Sequence, residues 1–400
     1  MELFSSVWHL ISALLIFFAG AFIVNIISSG LKISSIRSLT IYCWHTAMCM
    51  VYLWYVINNG GDALSYYKKT QITGLEFSPG TEAVSYLTTL IVKGFGTSLL
   101  GAFLFYNIIG SVGLLFFHAC LRTATYDKSE SVKKLATLIV FLPSVSFWSS
   151  AIGKDAISFT AASLSLWAAL NIKRRAGLMI IAVAMMFFVR PHIAGILIIS
   201  LTLAALFINR TNIFLKILLG GIAAGAAALL VPFALHYAGV GETIDNDTLM
   251  AYVEKRQSYN MEGGGGVDIA SMTLPMQLFT YLFRPVIFEA RSIFSFAAAI
   301  DNLILLYLFI VGGRGLLGRV RSGLGESRVF MWAYALLAWL VLAMTTANLG
   351  IALRQKWMFV PMLIFLFISV IGRRQHQHRP LQTPLAIREP SLGLSKQRLL

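Results

Sequence analysis

Long apolar runs separated by short polar connections recur along the chain, near residues 6–28, 39–58, 98–121, 135–150, 156–171, 176–190, 193–208, 213–238, 292–312, 329–346 and 357–372. About 17 to 25 mostly apolar residues cross a hydrocarbon core as a helix, whose backbone hydrogen bonds are satisfied internally. The pattern therefore predicts an all-α fold, a polytopic transmembrane helical bundle of about 11 spans. It forms one membrane-embedded domain over 1–372, followed over 373–400 by a basic, proline-bearing tail that reads as disordered and cytoplasmic.

Two shorter stretches have a different period. TEAVSYLTTLIVKG (81–94) carries apolar side chains at 83, 84, 87, 90 and 91, the spacing of a helix lying in the membrane interface, and 272–284 predicts another. MEGGGGVD (261–268) reads as a mobile lid or linker, without the lysine and the strand–helix context of a phosphate-binding loop. The first run follows Glu2 instead of a basic segment and lacks a small-residue cleavage site, so it is expected to be a retained span.

Composition agrees with the periodicity: 58% hydrophobic residues, 12% charged residues and a mean hydropathy of +0.76 exceed what a soluble domain needs. Cys43, Cys49 and Cys120 all fall in apolar runs without metal-ligand spacing, so neither a disulfide framework nor a metal site is expected. The formal charge of +15 is unevenly distributed. One alternating set of connections, with the tail, holds 21 Lys/Arg against 4 Asp/Glu, and the other set holds 11 against 13. By the positive-inside rule the first set is cytoplasmic, which places the amino terminus outside and the carboxyl terminus inside. The basic excess is thereby topological, and its short, dispersed loops without interleaved aromatics argue against nucleic acid as a partner.

The unusual residues collect in the other set, whose main loops span about 59–97 and 239–291. In GGDALSYY (60–67), Asp62 is either a general base or a helix cap. In FWSSAIGKDAISF (147–159), Lys154 and Asp155 are either a phosphate-binding cation with the carboxylate that orients it, or a snorkelling lysine and a cap. Trp148 beside them suits an interfacial belt or a sugar-stacking face.

Arg190 precedes a proline in VRPH (189–192), where freed backbone groups at membrane depth are tolerated beside a polar cavity. Its planar fork makes it a candidate pyrophosphate ligand, snorkelling being the alternative, and His192 is a weaker candidate. FRPVIFEAR (283–291) repeats the Arg-Pro pair at Arg284 and adds Glu289 and Arg291, which either pair with each other or face a ligand. In NLGIALRQK (348–356), Arg354 and Lys356 oppose both the positive-inside bias and the helix dipole, so an anionic ligand accounts for them better than topology does. Asp301 is the clearest ionisable residue inside a span. Fixed cations with carboxylate proton acceptors (Asp62, Asp155, Glu289) suit chemistry on a pyrophosphate leaving group.

PSVSFWSSAIGKD (143–155), with GDALSYY, VRPH, LFRPVIFEAR and N-L-G-x-x-x-R-x-K, resembles Wzy-type polymerases of bacterial surface polysaccharides and related GT-C membrane glycosyltransferases, over most of residues 60 to 365. The resemblance implies a multi-pass enzyme of the bacterial inner membrane that uses undecaprenyl pyrophosphate-linked glycan, works at the periplasmic face without a cofactor, and has chain-length regulators or other assembly proteins as partners. It would map the acidic loop residue of GT-C enzymes onto Asp62 and the arginine-bearing loops of the polymerases onto Arg190, Arg284 and Arg291. The GT-C acidic loop usually follows the first span, whereas Asp62 follows the second. Transfer of a single sugar, ligation to lipid A or another acceptor, and a lipid-linked oligosaccharide flippase remain the competing expectations.

Overall fold

The structure, a computed structural model, describes residues 5–72, 76–206, 272–317, 325–346 and 348–372, with isolated helical positions between 214 and 228. Among these residues regular structure is helical, with no strand. The apolar run 213–238, apart from those isolated positions, the glycine-rich stretch 261–268 and the tail 373–400 lie outside the described residues.

Two long helices open the chain, α1 (Val7–Gly30) and α2 (Ser35–Asn59), and Ser6 and Ser34 cap them by accepting hydrogen bonds from His9 N and Arg37 N. Leu14, Leu15, Phe18 and Phe22 of α1 are exposed, which is the surface a helix presents to lipid. α2 ends at Gly60 and Gly61, whose φ values of 78° and 137° disfavour a side chain. The chain turns there into α3 (Asp62–Lys69), followed by α4 (Thr81–Phe95).

The central helix is α5 (Leu99–Thr125), packed against α1, α2, α6 (Glu130–Val140) and α8 (Lys154–Ala169). Small residues allow this. A Cβ on Gly110 would overlap the Ser149 carbonyl of α7 (Pro143–Ser149), and one on Gly113 would lie 2.8 Å from Thr160 Cα of α8. Close approach through small residues, with hydroxyls bonded to backbone carbonyls, is how helices associate where lipid offers no hydrophobic drive between them. Thr160 Oγ1 accordingly donates to Ile109 O at 2.7 Å.

α9 (Ile172–Val189) and α10 (Pro191–Leu206) are broken at Arg190, whose φ/ψ of −146°/74° is non-helical, in keeping with the bar on helical geometry before proline. After the undescribed stretch come α11 (Leu274–Phe283), a 3-10 turn (Ile287–Glu289), α12 (Ile293–Leu317) and α13 (Gly325–Thr345). α14 (Leu349–Gln355), a second 3-10 turn (Lys356–Met358) and α15 (Val360–Ile368) follow, with a 62° bend between the last two apolar segments. α15 is apolar and buried all round, packing on α12, α13 and α5.

Among the described residues the helices fall on the expected apolar runs, and α4 and α11 form over the two shorter stretches of helical period. The described residues do not confirm the count of 11 spans. Among the described residues, five helical segments are long and apolar enough to cross a membrane, namely α1, α5, α6 taken together with α7, α12 and α13, or six with the bent pair. α8 is 16 residues long, short for a 30 Å core at 1.5 Å per residue. α9 opens on Lys173, Arg174 and Arg175, and α2 mixes tyrosine, histidine and asparagine into its apolar positions. The run 135–150 is two helices, α6 and α7, separated by Phe141 and Leu142 before Pro143.

Gly110→Ala is expected to cost roughly 1–3 kcal/mol, because the clash is with backbone and has no flexible end to yield. Gly177→Ala in α9, with nothing within 4 Å of the added methyl, is expected to be neutral or slightly stabilising. Thermal unfolding of the purified protein in detergent measures both.

Candidate functional site

Four elements meet around one carboxylate. Asp155, in the first turn of α8, accepts from Arg190 Nη2 at 2.7 Å on Oδ1 and from Arg354 Nε at 2.9 Å on Oδ2. Arg354, in the last turn of α14, also donates Nη1 to Asp62 Oδ2 at 2.9 Å, at the start of α3. The order is Arg190–Asp155–Arg354–Asp62, with opposite charges alternating.

Local backbone signals place each member. The Arg-Pro break holds Arg190, the double glycine aims Asp62, and Asn348 Oδ1 caps α14 by accepting from Gly350 N and Ile351 N. Neither carboxylate acts as the expected helix cap: Gly61 and Gly153 occupy the cap positions, and neither α3 nor α8 has a side-chain cap.

Burial divides the chain of charges. The Asp155 and Arg190 side chains are 8% and 10% exposed, whereas Asp62 is 60% exposed. A carboxylate receiving two charge-assisted guanidinium bonds is ionised and tightly held, while an exposed bridge exchanges readily with solvent or another anion. Two donors nearby are unused: Arg190 Nε and the Tyr281 hydroxyl are buried without a hydrogen-bond partner. Tyr281 lies within electrostatic reach of both Arg190 and Asp155.

An apolar cavity of about 500 Å³ opens beside the charges. Trp148 joins the two features, lining the cavity while the Arg354 guanidinium sits over its ring at 5.4 Å from the centroid. Tyr55, Phe147 and Phe294 form the aromatic wall, with Phe147 in edge contact with Trp148 at 4.9 Å. Glu289 and Arg291 line the cavity as well.

The remaining candidates divide. Glu289 pairs with Arg284 and not with Arg291: Arg284 Nε reaches its two oxygens at 2.8 and 3.1 Å, and Val286 N adds a bond at 2.9 Å. The Arg284 hydrogen bond is the main cause holding the Glu289 carboxyl below its usual range. Arg284 is thereby committed within its own loop and is not joined to the Asp155 chain. Lys356, expected to face a ligand, is instead buried at 1% exposure and donates to Asn302 Oδ1. Lys154 opens α8 half-buried, and His192 is half-buried in the first turn of α10.

Two buried polar knots were not paired by sequence reasoning. Asp301 accepts from Ser144 N at 2.7 Å and lies within electrostatic reach of Lys356, while its Oδ1 has no hydrogen-bond partner. Ser149, His45 and Asn107 form a relay, with 3.0 Å from the serine hydroxyl to His45 Nε2 and 2.6 Å from His45 Nδ1 to Asn107 Oδ1. Ser149 and His45 are 1% and 0% exposed, so the relay pins α2, α5 and α7 together without access for a substrate. Polar residues set in otherwise apolar helices were the available signal; their spacing does not reveal the partner.

The fold and site define an all-helical membrane protein with a buried, carboxylate-bridged arginine pair at the mouth of an apolar cavity. Searches of protein families, curated proteins and solved structures yield no match to this chain. Among the described residues, no group of three His, Cys, Asp or Glu side chains is arranged to hold a metal ion.

Removing the hub strands two guanidinium groups, so Asp155→Asn is expected to destabilise by about 3–5 kcal/mol, against less than about 1 for Asp62→Asn. Unfolding midpoints in detergent measure the difference. For Glu289, a depressed folded pKa stabilises the fold above the unfolded value of about 4.3 and ceases to do so as pH falls through the folded value. Glu289→Gln is therefore expected to lower the midpoint at pH 7, with the gap to wild type closing as the pH drops below about 4.

Proposed function

We propose that the protein is a membrane glycosyltransferase that joins lipid pyrophosphate-linked glycan repeat units during bacterial surface-polysaccharide synthesis. The observation that carries this reading is the pair of guanidinium groups, Arg190 and Arg354, fixed side by side by Asp155 at the Trp148 edge of the apolar cavity. A polyprenyl pyrophosphate-linked sugar has the matching parts: an apolar tail, a dianionic bridge and a sugar.

In this reading the cavity takes the first isoprene units, and the pyrophosphate oxygens meet Arg354 and the unused Arg190 Nε. The incoming anion displaces Asp62, the exposed partner, from Arg354, while Asp155 stays in place as counter-ion. Asp62 is then free to take the proton of an acceptor hydroxyl as its oxygen bonds to the anomeric carbon. The bond from that carbon to the pyrophosphate breaks, and its electron pair leaves with the phosphate, where the arginines stabilise the charge. Trp148 offers a face for the sugar.

The charge asymmetry of the loops supports the finer topology: about 11 spans in the bacterial inner membrane, the amino terminus and this site on the periplasmic side, and the carboxyl terminus in the cytoplasm. Transfer of one sugar to lipid A or another acceptor uses the same site. A flippase is the reading favoured by a separate observation, the Asp301–Lys356 pair buried within the bundle, because ionisable groups at membrane depth mark translocation paths.

In a strain deleted for this gene, complementation with wild type is expected to restore a polysaccharide ladder on gels, and Asp62→Asn or Arg354→Gln to leave single repeat units. Losing a general base slows transfer by about 10²–10⁴. Asp62→Asn is the discriminating variant because its fold is expected to survive, and membrane abundance is measured alongside. A normal ladder from both variants at normal abundance would overturn the proposal. Loss of single repeats at the surface as well would favour the flippase.

A further inference from the structure

A second cavity of about 500 Å³, this one polar, lies at the other end of the bundle. α2 connects the two regions: Ser34 caps its start beside this cavity, and Gly60 ends it beside Asp62. At 25 residues it spans about 37 Å, close to the thickness of a bilayer with its interface. The second cavity thus belongs to a different membrane surface from the Asp155 cluster.

Its lining is cationic. Lys32, Arg37, Arg122 and Lys133 surround it, with the Ser34 hydroxyl and the start of α2 on one wall. The only acidic partner the lining residues bond to, among the described ion pairs, is Glu130, which is 76% exposed and takes Lys133 at 2.8 Å. Arg122 Nη1 donates to Lys32 O at 2.7 Å, holding α5 and the α1–α2 turn together as two walls of one pocket.

The independent observation is His118. It lines this cavity at 5% exposure, and its Nδ1 is buried without a hydrogen-bond partner. Arg122 and Arg37 lie close enough to act on it electrostatically. Leaving an imidazole nitrogen unpaired beside two guanidinium groups is costly, and an anionic oxygen would satisfy all three. The start of α2 adds the positive end of a helix dipole to the same wall.

We propose that this pocket binds a phosphate group through Arg37, Arg122, Lys32 and His118. Two sources share that chemistry, the headgroup of an anionic membrane lipid and a free phosphate from the aqueous side. The site stands independently of the reading given for the Asp155 cluster.

The test uses the full-length purified protein in detergent, titrated with dioleoylphosphatidylglycerol, with dioleoylphosphatidylcholine, and with inorganic phosphate at constant ionic strength, following the thermal-unfolding midpoint. Wild type is expected to show a saturable rise. Saturation by phosphatidylglycerol but not by inorganic phosphate assigns the lipid headgroup, and saturation by inorganic phosphate assigns a free phosphate. Arg37→Gln, whose side chain makes no hydrogen bond among the described residues, is expected to weaken binding roughly fivefold, the effect of about one interfacial cation. His118→Asn is expected to weaken it as well, and Lys68→Gln, at the opposite end of the bundle, to leave it unchanged. Absence of saturation by every probe, titration of Arg37→Gln and His118→Asn like wild type, or equal weakening by Lys68→Gln would each overturn the site.

Discussion

A single buried carboxylate sets the geometry of this protein's polar centre. Asp155 binds Arg190, 35 residues away, and Arg354, 199 residues away, so the first turn of α8, the break between α9 and α10, and the end of α14 must converge on it. Two largely buried arginines without a counter-ion would be costly, and so would the carboxylate alone. The cluster forms only as a unit. A buried ion pair contributes little net stability beyond what apolar packing of the same volume would give, so its value here is best understood as position: it holds two guanidinium planes at fixed separation.

The backbone around the centre is arranged to deliver those charges. Each of the three segments that join Asp155 in the cluster does so beside a point where a helix stops or starts: Gly60–Gly61 before Asp62, Arg190 before Pro191, and the short α14 between Asn348 and Lys356. Helix ends have unpaired backbone groups and permit sharp changes of direction, so they bring side chains from distant elements together without bending a helix. Behind them, Gly110 and Gly113 let α5 seat α7 and α8 at close range, which fixes the height of the FWSS segment and of the α8 start above the core. The apolar framework thereby controls where the charge sits.

Apolar periodicity was enough to locate nearly every helix, because each apolar run had to be buried or face lipid whatever its neighbours were. The number of spans is harder to read, since α8 is an apolar helix of only 16 residues whose burial comes from neighbours in the bundle. Pairing was further out of reach. Glu289 lies two residues from Arg291 and five from Arg284, and the chain folds back to the farther one through a 3-10 turn. Lys356 reads locally as one more external cation, but the 3-10 turn after α14 points it into the bundle toward Asn302, 54 residues earlier in sequence. Arg354, two positions before it, goes to the exposed side and joins the Asp155 chain. Two cations two residues apart on a tight helical turn face different directions, and only the tertiary contacts assign which one joins the Asp155 chain.

The two carboxylates on Arg354 are chemically alike and physically unequal. Asp155 is desolvated and shared between two guanidinium groups, so removing it exposes both charges at once; Asp62 is well hydrated, and its single bridge competes with water. An anion arriving from the aqueous side therefore replaces Asp62 and not Asp155. Substrate binding and release of a proton acceptor become one event in the proposed reaction, because the phosphate that occupies Arg354 is what frees the Asp62 carboxylate. The apolar cavity under Trp148 makes that exchange selective for an anion carrying a hydrophobic tail: a small phosphate gains only the charge, while an amphiphile also gains burial of its chain, at roughly 25 cal/mol per Å² of apolar surface removed from water. In the proposed reaction, a charge relay with one fixed and one exchangeable partner, placed at the mouth of an apolar cavity, discriminates by the joint presence of phosphate and lipid, which neither feature achieves alone.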